Sequence, residues 1–150
     1  MDLKSQKKRS ELALVATDDK NKIHNFFFQD YIVIGWGKLT NEGGLDEVLK
    51  LGVASRLPQK LSLSLVDNNQ CNAFFRGINE KHICAGGVKA QDSCNGDSGG
   101  PLVNRSERSN DYMTLHGIVS SGSVRCGIGK PGIYTRVSHY IDWIKTHLRD

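Results

Sequence analysis

The sequence predicts an all-β fold: an antiparallel barrel with a C-terminal α-helix. Three observations predict it. Short apolar runs recur between turn clusters rich in glycine and asparagine. One of them, Leu61-Ser62-Leu63-Ser64-Leu65-Val66, alternates apolar and polar residues, the period-two mark of a strand with one buried face. Sustained helical spacing of apolar residues is confined to the end of the chain, at Ile141, Ile144 and Leu148.

The elements follow in order. Residues 1–28 show no strand or helix pattern and form an N-terminal segment without an assigned fold. Phe26-Phe27-Phe28 must pack on something, and Lys4, Lys7, Lys8 and Arg9 read as a solvated basic face before they read as an anion site. From residue 29 to residue 150 the chain reads as one unit. Tyr31-Ile32-Val33-Ile34 is β-branched, apolar and stopped by Gly35, which predicts a buried strand. Trp36 stands between two glycines and is expected to pack its ring beneath the loop. Thr40-Asn41-Glu42-Gly43-Gly44 is a turn cluster. Val48–Val53 and Leu61–Val66 predict strands.

Asp67 is placed to cap a short helix, Asn68–Phe75, with Gln70 three residues on. Ile83-Cys84-Ala85 is strand-like. Leu102-Val103 leads into a polar excursion from Arg105 to Asp111. Leu115–Ser120 and Ile133–Val137 are strands. Ser138 is placed to cap the last helix, which runs to about Leu148 with Ile141, Ile144 and Leu148 facing the core.

With 150 residues the chain can build one domain with a core of its own. A net charge of +4 does not mark a nucleic-acid binder. No apolar run nears the roughly 18 residues of a membrane span. Neither nucleic acid nor a membrane is therefore an expected partner. The four cysteines favour an oxidised, extracellular setting and allow three pairings. None has zinc-ligand spacing with histidine, so no metal or other cofactor is expected. Met1–Arg9 is charged and Leu12–Ala16 is too short for a signal h-region. The natural N-terminus is accordingly expected to lie upstream.

The chemistry concentrates in Asp92-Ser93-Cys94-Asn95-Gly96-Asp97-Ser98-Gly99-Gly100-Pro101. Glycines permit a sharp turn and close backbone approach. Such a turn can present one hydroxyl, Ser98, with free N–H groups beside it. The N–H groups of Gly96 and Ser98 are candidate donors to the oxyanion formed when a serine attacks a carbonyl. The rival reading is the G-x-S-x-G elbow of α/β-hydrolases, but that elbow needs a helix after it. Pro101-Leu102-Val103 reads as extended chain.

This stretch resembles the nucleophile loop of chymotrypsin- and trypsin-like (S1-type) serine proteases. Gly35-Trp36-Gly37, Ile83–Gly87, Gly117–Ser120 and Pro131–Tyr134 resemble further landmarks of that family, in the family's order. The wording Cys84-Ala85-Gly86-Gly87-Val88-Lys89 is similar to arthropod clip-domain proteases. The resemblance covers the C-terminal half of such a protease. It implies the second, Greek-key barrel of a double-barrel domain, hence an incomplete peptidase domain over residues 29–150. It also implies disulfides Cys71–Cys84 and Cys94–Cys126, with Tyr31 and Asn104 standing where the family commonly has a third bridge.

The resemblance implies Ser98 as catalytic nucleophile in endopeptidase chemistry. It puts Asp92 at the floor of the primary specificity pocket, with Ser93 adding a hydrogen bond, and Gly122 and Gly132 as open walls. Ser120 to Gly122 would pair with substrate backbone. A carboxylate floor suits a lysine or arginine side chain, whose unpaired burial would be costly. Ser121 replaces the family's usual tryptophan. Expected partners are protein or peptide substrates cut after Lys or Arg, the N-terminal barrel, and a serpin-type inhibitor.

The same resemblance exposes what the motifs do not supply. No stretch of residues 1–30 matches the family's histidine motif or its short Asp-aliphatic motif. His24, His82, His116, His139 and His147 lie at unsuitable positions, so no general base is assigned. Asp97 is the family's activation acid, which pairs with a freshly cleaved Ile-Val-Gly-Gly terminus. Here no such sequence exists, and Asp97 is expected to turn to solvent or to another donor. The alternative function is a non-catalytic homologue that keeps the pocket as a binding module.

Overall fold

A computed structural model describes residues 31–38, 54–106 and 109–148. The segment 1–28, with its basic cluster and its phenylalanines, lies outside the described residues. So do the turn at Thr40–Gly44 and the strand expected at Val48–Val53.

Every strand pairing is antiparallel. The strands are β1 (Tyr31–Gly35), β2 (Gln59–Leu63), β3 (Leu65–Val66), β4 (His82–Gly86), β5 (Pro101–Ser106), β6 (Ser109–Ser121) and β7 (Pro131–Arg136). Their order in the sheet is β2-β1-β5-β6-β7-β4-β3. The two edges of this sheet, β2 and β3, are consecutive in the chain with only Ser64 between them. The first half of that run pairs with β1, Tyr31 opposite Leu63. The second half pairs with β4, Leu65 opposite Ala85. The carbonyl of Ser64 accepts the Gly86 N–H at the switch, at 2.9 Å. One strand thus serves both edges, and the sheet closes into a barrel.

The period-two pattern explains why this works. Leu61, Leu63 and Leu65 keep one face inward through the switch and join a core of Tyr31, Val33, Ile83, Ala85, Leu102, Val119 and Tyr134. A second cluster, Cys71, Cys84 and Ile133 with Val66, Phe75 and Ile78 against it, sits under the first helix. The sulfurs are joined Cys71–Cys84 and Cys94–Cys126, and no described cysteine is free. β1 pairs with β5 through Ile32 opposite Val103 and Val33 opposite Leu102, next to Tyr31 and Asn104 in the chain. Both are buried, and the Tyr31 ring meets His116 edge-on at 5.0 Å.

Several sequence expectations are corrected. The first helix, α1, spans only Asn68–Asn72. Asp67 does cap it, accepting the Asn69 N–H at 2.8 Å. The helix stops short of Phe75 because Asn72 turns the chain back, its carboxamide bonding both the N–H and the carbonyl of Ile78. The polar excursion from Arg105 is largely a hairpin: β5 and β6 stay paired through Asn104 opposite Thr114 and Arg105 opposite Met113.

Ser138 caps nothing. It lies inside a 3-10 turn, Val137–Tyr140, and the helix α2 (Ile141–His147) begins after Tyr140 without a side-chain cap. Buried Val137 anchors that turn, and α2 runs off the barrel without burying any residue, so Leu148 is 66% exposed. Trp36 is also outward, at 56% exposure. The space between its glycine neighbours is taken by the Asp97 carboxylate, as a Cβ on Gly35 or Gly37 would overlap that side chain.

Candidate active site

Residues 94–100 form a turn tied at both ends. Asp97 donates its N–H to the Cys94 carbonyl at 2.9 Å, and Gly100 donates to the Asp97 carbonyl at 2.8 Å. The Gly99 N–H bonds Val119 of β6, and the Val119 N–H returns to Gly100, both at 2.9 Å. Gly96 and Gly99 hold φ of +100° and +81°, which only glycine adopts without strain. Gly100 has no room for a Cβ, which would stand 2.8 Å from the Asp97 carbonyl oxygen and 3.0 Å from that of Ile34.

These bonds use the N–H groups of Asp97, Gly99 and Gly100. Those of Gly96 and Ser98 bond no acceptor among the described residues. Ser98 itself is exposed, and its hydroxyl has no hydrogen-bond partner there. The turn therefore presents one hydroxyl with two unused N–H donors around it. That is the donor pattern an oxyanion needs.

The Asp97 side chain turns toward the end of β1. It accepts the Gly37 N–H at 2.7 Å and the Cys94 N–H at 2.9 Å. Backbone donors, not a cation, surround it among the described residues.

Asp92 lies one disulfide arm away. Its carboxylate is half-buried and accepts the Gly127 N–H at 3.1 Å. Burial pushes its pKa up; N–H groups of Gly127 and Ser93 pull the other way, and the charge of Asp97 adds to the rise. Ser93 shares a hydrogen bond with the Tyr134 hydroxyl at 3.1 Å. A Cβ on Gly132 would stand 3.2 Å from that hydroxyl and 3.3 Å from Ser93 Oγ, and one on Gly122 would stand 3.9 Å from Gly132 Cα. Ser93, Gly122 and Gly132 are thus neighbours around the Tyr134 hydroxyl, and Asp92, next to Ser93 in the chain, is held by Gly127.

Tyr134 was not singled out from sequence. Burial, first of all, raises its pKa to about 12, with the charges of Asp92 and Asp97 adding to it. It stays a neutral hydroxyl beside Ser93. Strand alternation from Gly132 was the signal that pointed it inward. Ser120 sits at an irregularity in the β6–β7 ladder, between Val119 opposite Tyr134 and Ser121 opposite Ile133. Its side chain is exposed and free of the core. Bulges of this kind re-aim backbone beside binding sites.

No described histidine reaches Ser98. The His82 ring accepts the Asn79 N–H, His116 packs on Tyr31, His139 on Tyr140, and His147 stacks on Trp143. His24 lies outside the described residues. Among the described residues no group of histidine, cysteine and acid side chains has the geometry of a metal site.

A closed antiparallel barrel carrying a glycine-framed serine turn is the architecture of the serine peptidases built on barrels. Comparison gives the family. A family model described as Trypsin matches residues 3–144, and the chain belongs to the trypsin family of serine proteases. The match begins well upstream of Gly35, where the motifs start, and so takes in most of the segment for which the motifs gave no counterpart.

Phenoloxidase-activating factor 3 of Holotrichia diomphalia is 40% identical over 126 residues, covering 81% of this chain and 33% of that protein. The CLIP domain-containing serine protease HP8 of Bombyx mori is 39% identical over 130 residues, covering 83% and 32%. Glucanase inhibitor protein 3 of Phytophthora infestans is 38% identical over 133 residues, covering 89% and 46%. The chain spans about a third to a half of the length of these relatives.

Proposed function

We propose that this chain is the C-terminal barrel of an extracellular trypsin-like endopeptidase that cuts after lysine or arginine. The observation that carries it is an unbonded Ser98 hydroxyl, flanked by the unbonded N–H groups of Gly96 and Ser98, together with the half-buried Asp92 carboxylate six residues before it. In the reaction Ser98 Oγ attacks the scissile carbonyl and its proton passes to a general base. The two N–H groups hold the oxyanion, the C–N bond breaks, and water releases the acyl group from Ser98. Asp92 pairs with the substrate cation, and Ser120 to Gly122 aligns the substrate backbone as an added strand.

The general base and its orienting acid are supplied from outside the described residues. The serine alone is a plain hydroxyl. In triad enzymes loss of the histidine costs on the order of 10⁶ in kcat. The two disulfides support an oxidising, extracellular setting. A serpin-type inhibitor and the N-terminal barrel are the partners this reading entails.

A fluorophosphonate probe tests it. The 150-residue chain should label at Ser98 slowly, and the same barrel joined to a histidine-bearing N-terminal barrel should label rapidly and lose labelling in Ser98→Ala. A full-length protein whose serine stays inert to the probe while the pocket binds an amidine would overturn the enzyme reading.

That outcome would favour a second reading, a binding module that keeps the slot without the chemistry. The relative named as a glucanase inhibitor protein supports it, being as similar to this chain as the proteases are.

A further inference from the structure

Two loops behind the pocket floor, residues 86–91 and 122–130, are locked to one another. The Ala90 N–H bonds the Gly127 carbonyl at 2.8 Å, and Lys89 bridges Ile128. The Lys89 stem would lie 3.4 Å from a Cβ on Gly129. Cys126 is held to Cys94. Ala90 keeps φ of 63°, a left-handed conformation rare for a non-glycine residue and sustained here by its fit to Gly127.

What this platform shows to solvent is unusual for a loop. Val88, Val124 and Ile128 are 55%, 93% and 43% exposed. Lys89, Arg125 and Lys130 stand beside them, and neither loop contains an acid. Asp92, the acid that follows the first loop in the chain, spends its carboxylate on the Gly127 N–H.

We infer that the paired loops 86–91 and 122–130 are a docking surface for an acidic, aliphatic-bearing segment of a protein partner. Charge complementarity fixes the sign of the occupant, since these three cations make no ion pair among the described residues. The exposed valines fix its kind. Val88 precedes Lys89 and Val124 precedes Arg125, so apolar and cationic positions alternate, and a segment alternating carboxylates with aliphatic side chains satisfies both. A polyanion would leave the valines in water. Because the loops are already pinned, little ordering cost opposes binding. Val88, Lys89, Val124, Arg125 and Ile128 take no part in the Ser98 chemistry, so the surface would serve an active protease or an inert homologue alike.

The test is fluorescence anisotropy of the full chain with a labelled peptide alternating glutamate and leucine. Saturable binding is expected, and none with the lysine-for-glutamate counterpart. The combined Lys89→Glu and Arg125→Glu change should weaken binding at least about tenfold. Val124→Ser should weaken it several-fold with the thermal unfolding profile unchanged. Should the double variant misfold, Arg125→Gln alone replaces it, with the same direction expected. No saturable binding, or affinity untouched by these changes, overturns the proposal. So does equal binding of heparin with Val124→Ser silent, which would mark a polyanion site.

Discussion

The carboxylate of Asp97 accepts the backbone N–H of Gly37 at 2.7 Å, across 60 residues of chain. This contact ties the end of β1 to the nucleophile turn. It also explains why Gly35 and Gly37 lack side chains: a Cβ at either would overlap the carboxylate. Gly37→Ala should therefore cost about 1–3 kcal/mol of stability, as an overpacked contact does. The Ser98 turn should loosen with it. Urea unfolding reads the first effect, and faster hydrogen exchange at Asp97 and Gly100 reads the second. A variant as stable as the parent would show the carboxylate free to move aside.

Asp92 carries a conflict between stability and binding. Burial raises its pKa above the ordinary aspartate value. The folded chain then holds this proton more tightly than the unfolded chain does. Its contribution to stability is full below the ordinary value and is lost as pH rises through the raised folded value. At neutral pH the charged carboxylate thus weighs against the fold. Asp92→Asn should raise the urea midpoint near neutral pH and level the difference in acid. The same change should abolish binding of a benzamidine-type cation. In the parent, amidine affinity should fall with acidification from a higher pH than an exposed carboxylate would give. Equal midpoints at neutral pH would contradict the desolvation account.

The sequence made the barrel and the serine turn legible for local reasons. Leucines at 61, 63 and 65 alternate regardless of context, and the glycines around Ser98 are turn-formers wherever they occur. What it hid was decided at a distance. The Asp97 carboxylate fills the space between the glycines on either side of the exposed Trp36, and Tyr134 is held beside Ser93 by a hydrogen bond. Ser138 lost its expected role because Val137 is buried and holds a 3-10 turn there. Ser64 looks like any polar strand residue, yet the strand changes partners there.

The two disulfides should differ in worth. Cys71–Cys84 spans 13 residues and Cys94–Cys126 spans 32. By loop entropy their removal costs about 3 and about 4 kcal/mol, a gap of about 0.8 kcal/mol. Paired Cys→Ala variants compared by urea unfolding measure it. The second loss should also weaken amidine binding, because Cys126 neighbours Gly127, which holds Asp92. The first should leave affinity nearly unchanged in the folded fraction. Equal effects on binding would separate Cys126 from the pocket.

Gly122 and Gly132 are neighbours, proposed as walls of one slot, yet they should answer substitution differently. At Gly132 a Cβ meets Tyr134 and Ser93 at 3.2–3.3 Å inside buried β7, so Gly132→Ala disturbs the fold and the slot together. At Gly122 the nearest heavy atom to a Cβ is Gly132 Cα at 3.9 Å, and the residue is exposed. A larger side chain there meets no packed neighbour. Gly122→Leu should change stability by less than about 0.5 kcal/mol, as exposed sites do. On the proposed pocket reading its side chain would stand across the approach to Asp92. Amidine affinity should drop by more than about tenfold, since the cation can no longer reach the carboxylate without leaving the leucine. Calorimetric titration of both variants, with urea midpoints alongside, gives the pair of numbers needed. Full amidine binding by Gly122→Leu would mean that the slot opens elsewhere, and that Asp92 is reached from the side of loops 86–91 and 122–130.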